Sequence, residues 1–225
     1  MSESTIDIVP VESLHERLGF DRRIDYPTAS RQKHLAEWKM EIDDAPIFRY
    51  LYRHARPQRH LEFGTWEGTG ACYCLEECDA RVWTINLPDG ERDQGGGRLY
   101  ETDSGSFIGH RYRSAGFGDR VSQILCDSLE WNEAGYASDF FDTALIDGGH
   151  TAQVVLSDTR KALSVVRSGG LILWHDFCPD PSVFSSMSSV SGVITGLTSE
   201  WQAIRDSLSD VFWIQPSFLL VGVRR

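Results

Sequence analysis

The chain has 225 residues, of which 41% are hydrophobic and 24% charged, the proportions of an ordinary globular protein long enough for one sizeable core. Its formal net charge of −11 argues against general nucleic-acid binding, which needs a basic face. No apolar run approaches the ~20 residues that span a bilayer, and the first ten residues, MSESTIDIVP, lack the basic and apolar regions of a secretory signal, so the expectation is a cytoplasmic protein with neither a membrane nor a nucleic-acid partner.

Residues 1–25 are polar with weak periodicity and are expected to form an arm or a loose cap. Helical periodicity runs from Ala29 to Met40. Asp44-Ala45-Pro46 then opens a new helix, with Ile47, Phe48, Leu51 and Tyr52 as its apolar stripe and Arg56-Pro57 as its stop. Residues 1–57 are therefore divided, as an N-terminal arm with cap helices, from a main domain over 58–225. From residue 59 strands and helices alternate. Strands are expected at 60–64, 82–86, 121–125, 141–147 and 170–176, and helices at 69–78, 105–115, 128–135 and 151–167. Ser168-Gly169-Gly170 reads as a helix stop leading into a strand. A helix over 190–207 precedes two strands, Val211–Ile214 and Phe218–Val223, whose short link requires an antiparallel hairpin. The pattern predicts an α/β fold: a doubly wound, seven-stranded, mostly parallel sheet with an antiparallel C-terminal hairpin. Loops 87–104, with Gly95-Gly96-Gly97, and 177–191, rich in serine, follow strand carboxyl ends, where such sheets bind ligands, and are candidate lids.

The sharpest local signal is Leu61-Glu62-Phe63-Gly64-Thr65-Trp66-Glu67-Gly68-Thr69-Gly70, a strand running through a glycine-rich turn into a helix. Such a turn lets backbone N–H groups approach a ligand closely. No lysine follows, so it is not a phosphate loop, and glycines at 64, 68 and 70 do not match the dinucleotide spacing. Glu62 would repel a pyrophosphate and suits an amine-bearing ligand. Two further strands end in polar groups: Leu145-Ile146-Asp147-Gly148-Gly149-His150 and Leu171-Ile172-Leu173-Trp174-His175-Asp176. Five cysteines, three of them clustered at 72, 74 and 78, read as free thiols of a reducing compartment. Arg111 and Arg113 read as a solvated strip, with an anchor for an anionic substrate group as the alternative.

Glu62-x-Gly64-x-x-x-Gly68-x-Gly70 resembles the first motif of class I S-adenosylmethionine-dependent methyltransferases. With Asp147-Gly148-Gly149-His150 and Trp174-His175-Asp176 in that order, the chain is similar to bacterial small-molecule O-methyltransferases related to catechol-type and macrolide-sugar metal-dependent enzymes. The resemblance covers residues 45–225 and implies a Rossmann-like methyltransferase fold with S-adenosylmethionine as cofactor. It places Glu62, Gly64 and Gly68 at the methionine end, with Thr65 and Glu67 in the same turn. Family members grip the ribose with an acidic residue ending the second strand. Here that residue is Asn86, which lacks the charge-assisted strength of a carboxylate, and Asp89 is a possible substitute. Asp127 and Ser128 match the position that contacts adenine, although Asp127 also suits a helix N-cap.

Asp147, His175 and Asp176 are the candidate metal ligands, with Asp147 bordering the cofactor as well. Carboxylates suit Mg²⁺, and the histidine shifts preference toward Mn²⁺ or other softer ions, unless His175 faces the substrate instead. His150 or His175 is the candidate base, since imidazole titrates near neutrality. The implied function is O-methylation of a small hydroxylated metabolite or sugar, assisted by a divalent metal. The alternative is a non-catalytic cofactor-binding or regulatory protein on the same fold. An apolar face on the helices before residue 57 leaves room for a homodimer.

Overall fold

The computed structural model describes residues 6–91 and 107–225. Eight strands form one sheet among them: β1 Asp7–Pro10, β2 Arg59–Phe63, β3 Arg81–Asn86, β4 Val121–Leu125, β5 Phe141–Ile146, β6 Val166–Trp174, β7 Leu208–Gln215 and β8 Leu220–Arg224, in the spatial order β1-β7-β8-β6-β5-β2-β3-β4. Pairing is parallel throughout except where β8 runs antiparallel to both β6 and β7. The doubly wound, mostly parallel α/β sheet with its reversed C-terminal hairpin is thus present, with eight strands where seven were expected. The extra strand comes from the expected loose arm: Asp7–Pro10 pair with Phe212–Gln215 on the β7 edge. Arg17 bridges Asp7 and Asp210 across that edge, and Val11 and Leu14 are fully buried behind it.

The helices are α1 Leu14–Leu18, α2 Thr28–Arg31, α3 Ala45–Ala55, α4 Thr69–Glu77, α5 His110–Ser114, α6 Ala152–Val165, α7 Pro181–Phe184, α8 Ser188–Ser199 and α9 Trp201–Asp206. Several differ from expectation. The 29–40 pattern yields only α2 and a 3-10 turn at Leu35–Glu37, and a π-turn over Met40–Asp44 leads into α3. Over 128–135 no α-helix forms, only a 3-10 turn at Glu133–Gly135. The Asp127 side chain accepts the Leu129 N–H at 2.9 Å, and the Asp127 carbonyl accepts the N–H groups of Glu130 and Trp131, which closes a single turn. The 190–207 helix is broken at Glu200 into α8 and α9. Ser168–Gly170 lie inside an irregular stretch of β6, where a Cβ on Gly170 would stand 2.5 Å from the Asp142 carbonyl oxygen. The 177–191 loop is packed down by buried Phe177, Cys178 and Val183 and is partly helical. Most of the 87–104 loop, including Gly95–Gly97, lies outside the described residues.

The sheet reverses its winding between β2 and β5, and the crevice at their carboxyl ends is where an open α/β sheet admits a ligand. Strand ends meet closely there. Asp147 N–H donates to the Phe63 carbonyl and Gly64 N–H to the Ile85 carbonyl. Gly64 has φ +96°, and a Cβ on it would lie 2.0 Å from the Asp147 carbonyl oxygen, so only glycine fits. Among the described residues, no helix is long and apolar enough to cross a membrane.

Candidate active site

A cavity of about 410 Å³ opens over this crevice, within the range of small-molecule sites. Its floor is the turn after β2, with Gly64, Thr65, Trp66, Thr69 and Gly70 lining it. One wall carries Ile85, Asn86 and Leu87 from the end of β3 and Cys126, Asp127 and Ser128 from beyond β4. The opposite wall carries Asp147–His150, His175 and Asp176. Phe48 and Tyr73, stacked at 5.5 Å, close one side. The first turn of α4 opens at Gly68, φ +90°; the Glu62 carboxylate accepts the Ala71 N–H from behind, while Thr69 and Gly70 line the cavity. Apolar walls, a few convergent polar groups and a glycine-rich helix start fit S-adenosylmethionine.

Three residues expected at the cofactor stand behind this surface. Glu62 is buried and lies beneath Gly70, where a Cβ would come within 2.1 Å of its Oε1. A chain of hydrogen bonds reaches it: Tyr112 OH donates to Gln123 Oε1, Gln123 Nε2 to Thr65 Oγ1, and Thr84 Oγ1 to Glu62 Oε2 at 2.6 Å, while the Thr65 and Thr84 hydroxyls are 2.7 Å apart. Burial nonetheless pushes the Glu62 carboxyl up to about 8. Glu67 pairs with Arg111 at 2.5 Å, so neither is directed at a ligand in this arrangement. Gly68 packs against Tyr112. Asn86 lines the cavity, but both ends of its amide serve the chain: Oδ1 accepts the Trp66 N–H at 2.9 Å and Nδ2 donates to the Leu87 carbonyl at 2.7 Å. It thereby holds Trp66 in a left-handed conformation, φ 42°.

The polar wall gathers residues from two chain segments, the ends of β5 and β6. Side chains of consecutive strand residues normally point to opposite faces. Asp176 departs from this with φ 55°, a left-handed turn that brings its carboxylate to the same side as His175. Ligand atoms of Asp147, His175 and Asp176 all lie within 4.8 Å of one another. His175 Nδ1 is 2.9 Å from Asp147 Oδ1, and His150 Nε2 is 2.6 Å from Asp176 Oδ2. Burial opposes charge on both imidazoles, yet Asp147 holds His175, and Asp176 holds His150, above their ordinary values. Two carboxylates and one imidazole form a donor set that fits a divalent ion of the Mn²⁺ or Mg²⁺ kind.

One participant was not found in the sequence. Asp44, fully buried, places Oδ2 3.3 Å from His175 Nε2. Its local signal, Asp-Ala-Pro, reads as a helix start, and no spacing rule links it to a residue 131 positions later.

A family profile described as a methyltransferase domain matches residues 61–177, just over half of the chain. The chain belongs to the methyltransferase domain family. A search of curated proteins finds no significant match. Solved structures share the fold. Cofactor-bound Rv0187 from MTB superposes with a TM-score of 0.61 at 15% identity, over 88% of this chain and 86% of that one. The O-methyltransferase TomG from Streptomyces achromogenes, in complex with SAM, gives 0.54 at 17% identity, over 96% and 88%. SAH-bound methyltransferase PaMTH1 from Podospora anserina gives 0.58 at 14% identity, over 95% and 87%. The eight-stranded sheet of this methyltransferase is thus the class I S-adenosylmethionine-dependent methyltransferase fold.

Proposed function

We propose that this methyltransferase moves the methyl group of S-adenosylmethionine to a hydroxyl oxygen of a small acceptor, with a divalent ion held by Asp147, His175 and Asp176. The observation that carries this reading is a single cavity in which the glycine turn and these three side chains face one another. The cofactor supplies an electrophilic methyl on a sulfonium. The ion, when bound, lowers the pKa of a coordinated hydroxyl.

The chain's own residues set the geometry. The turn from Gly64 to Gly70 seats the methionine end, and Ile85, Leu87, Asp127 and Ser128 form the slot for the adenosine. Asp147 and Asp176 hold the acceptor side in line with the donor, and such placement supplies much of the rate. The His150–Asp176 pair at the cavity wall takes the hydroxyl proton onto the imidazole. A cavity of about 410 Å³ is of a size that suits a small acceptor beside the cofactor.

Calorimetry with S-adenosylmethionine tests the cofactor: absence of heat at millimolar concentration ends this reading. The metal is tested by turnover after chelation and in Asp147→Ala and Asp176→Ala. Both variants and chelation are expected to reduce transfer at least a hundredfold, and full activity in all three removes the ion from the mechanism. A second reading, a cofactor-binding protein without turnover, draws on Asn86, whose amide is spent on backbone groups where family members offer the ribose a carboxylate. Tight cofactor binding without transfer to any of a broad panel of hydroxylated acceptors supports that one.

A further inference from the structure

Both nitrogens of His175 face carboxylates, and the two carboxylates differ in kind. Nδ1 lies 2.9 Å from Asp147 Oδ1 and 3.9 Å from Asp176 Oδ2, inside the cavity cluster. Nε2 lies 3.3 Å from Asp44 Oδ2. Asp44 is not part of the cavity wall. It sits at the end of the π-turn before α3, and its remaining contacts are all donors: Trp38 Nε1–H at 3.0 Å and the Phe218 N–H at 3.3–3.4 Å. These contacts anchor the carboxylate to the β7–β8 hairpin on one side and to its own segment on the other. A carboxylate so placed has only acceptor capacity to offer His175, which puts a proton on Nε2. Asp147 likewise offers Nδ1 only acceptor capacity, so Nδ1 either carries a proton or gives its lone pair to a cation. A bare nitrogen does not rest 2.9 Å from a carboxylate oxygen, so the space between Nδ1 and Asp147 is suited to a proton or a cation and to nothing else. Phe48, with its ring centroid 5.5 Å from that of His175 and tilted by 60°, packs the imidazole from the side.

We propose that Asp44 is a positioning residue that holds His175 by its Nε2–H, fixes the ring and its tautomer, and so aims Nδ1 at Asp147 and Asp176. Metal-binding histidines commonly have such an outer carboxylate partner, and its removal weakens ion binding. The N-terminal segment is in this way part of the site and more than a cap. The proposal rests on reading Asp147, His175 and Asp176 as the groups that hold the ion.

Two measurements on the full chain test it. Long-range ¹H–¹⁵N correlation on histidine-labelled protein shows which His175 nitrogen carries a proton, with the signal assigned by its loss in His175→Asn. A protonated Nε2 is expected in the wild type. Calorimetry with MnCl₂ as the probe is expected to show about 10–100-fold weaker binding in Asp44→Asn, accompanied by displacement of the Nε2–H signal. A bare Nε2 in the wild type overturns the proposal, as does a folded Asp44→Asn protein that binds Mn²⁺ with unchanged Kd. Should that variant fail to fold, the wild-type spectrum decides alone. A wild type that binds no Mn²⁺ ends the metal reading, while its Nε2 signal still decides whether Asp44 holds the ring.

Discussion

Two buried ionisable residues of β2, Glu62 and His60, pull stability in opposite directions with pH. Burial raises the Glu62 carboxyl to about 8, against the hydrogen bond from Thr84. Burial lowers His60, bonded to Tyr52 and Thr143, to about 3. Between the ordinary carboxyl value of 4.5 and about 8 the native state keeps a proton on Glu62 that the unfolded chain has released. The stability contributed by this group is therefore complete below the unfolded pKa and is lost as pH rises through 8. For His60 the unfolded chain takes up a proton below 6.5 that the native state refuses, so stability falls as pH drops from there toward 3. In urea titrations the wild type is expected to weaken from pH 6 to pH 9, and Glu62→Gln to weaken less. Parallel loss in both proteins would show that Glu62 does not ionise in this window. Gly64, Asp147, His150, His175 and Asp176, which line the cavity, could all be singled out from the sequence, because each sits at a strand end inside a local motif. Asp44 could not, since its role exists only once the chain has folded it against His175 and Phe218.

The elements meet through glycines whose missing Cβ is occupied by a neighbour's backbone. A Cβ on Gly192 of α8 would stand 1.7 Å from the His150 carbonyl oxygen, and one on Gly196 would stand 2.9 Å from that of Ala152. α8 thus packs directly on the turn that carries His150, at the start of α6. Gly192→Ala must push this turn or the helix away, at a cost of about 1–3 kcal/mol. Its expected signature is a lower Tm together with a greater loss in transfer rate than in cofactor affinity, because the displaced turn bears His150 and not the Gly64 loop. Equal losses in both would mean that α8 supports the cavity as a whole. Strands and the longer helices were readable from periodicity and glycine stops. The failures at 29–40 and 128–135 have a common cause. There, His34 and Asn132 take extended backbone conformations and their side chains accept the Ala36 and Ala134 N–H groups, which starts a short 3-10 turn where apolar spacing alone would continue one helix.

Across the molecule, β7 and β8 lie between the edge strand β1 and β6, the nearest strand whose end contributes to the cavity wall. Leu14 is fully buried behind β1. Leu14→Ala is expected to cost about 2–5 kcal/mol of stability by opening a cavity, yet to leave the Kd for S-adenosylmethionine within about twofold, as distant sites behave independently. A large loss of cofactor affinity in the folded variant would instead show that the edge and the crevice are coupled. The sequence by itself determined the α/β alternation, the reversed hairpin, the glycine turn and three of the four acidic or imidazole groups that surround His175, since these depend on periodicity, turn chemistry and residues next to strand ends. Only the tertiary structure decided that residues 7–10 join the sheet, that Glu62 lies under the cofactor turn, and that Asp44 completes the ring of contacts around His175. Those outcomes depend on which distant backbone donors and packed surfaces satisfy a buried strand or carboxylate, and a linear pattern carries no record of that pairing.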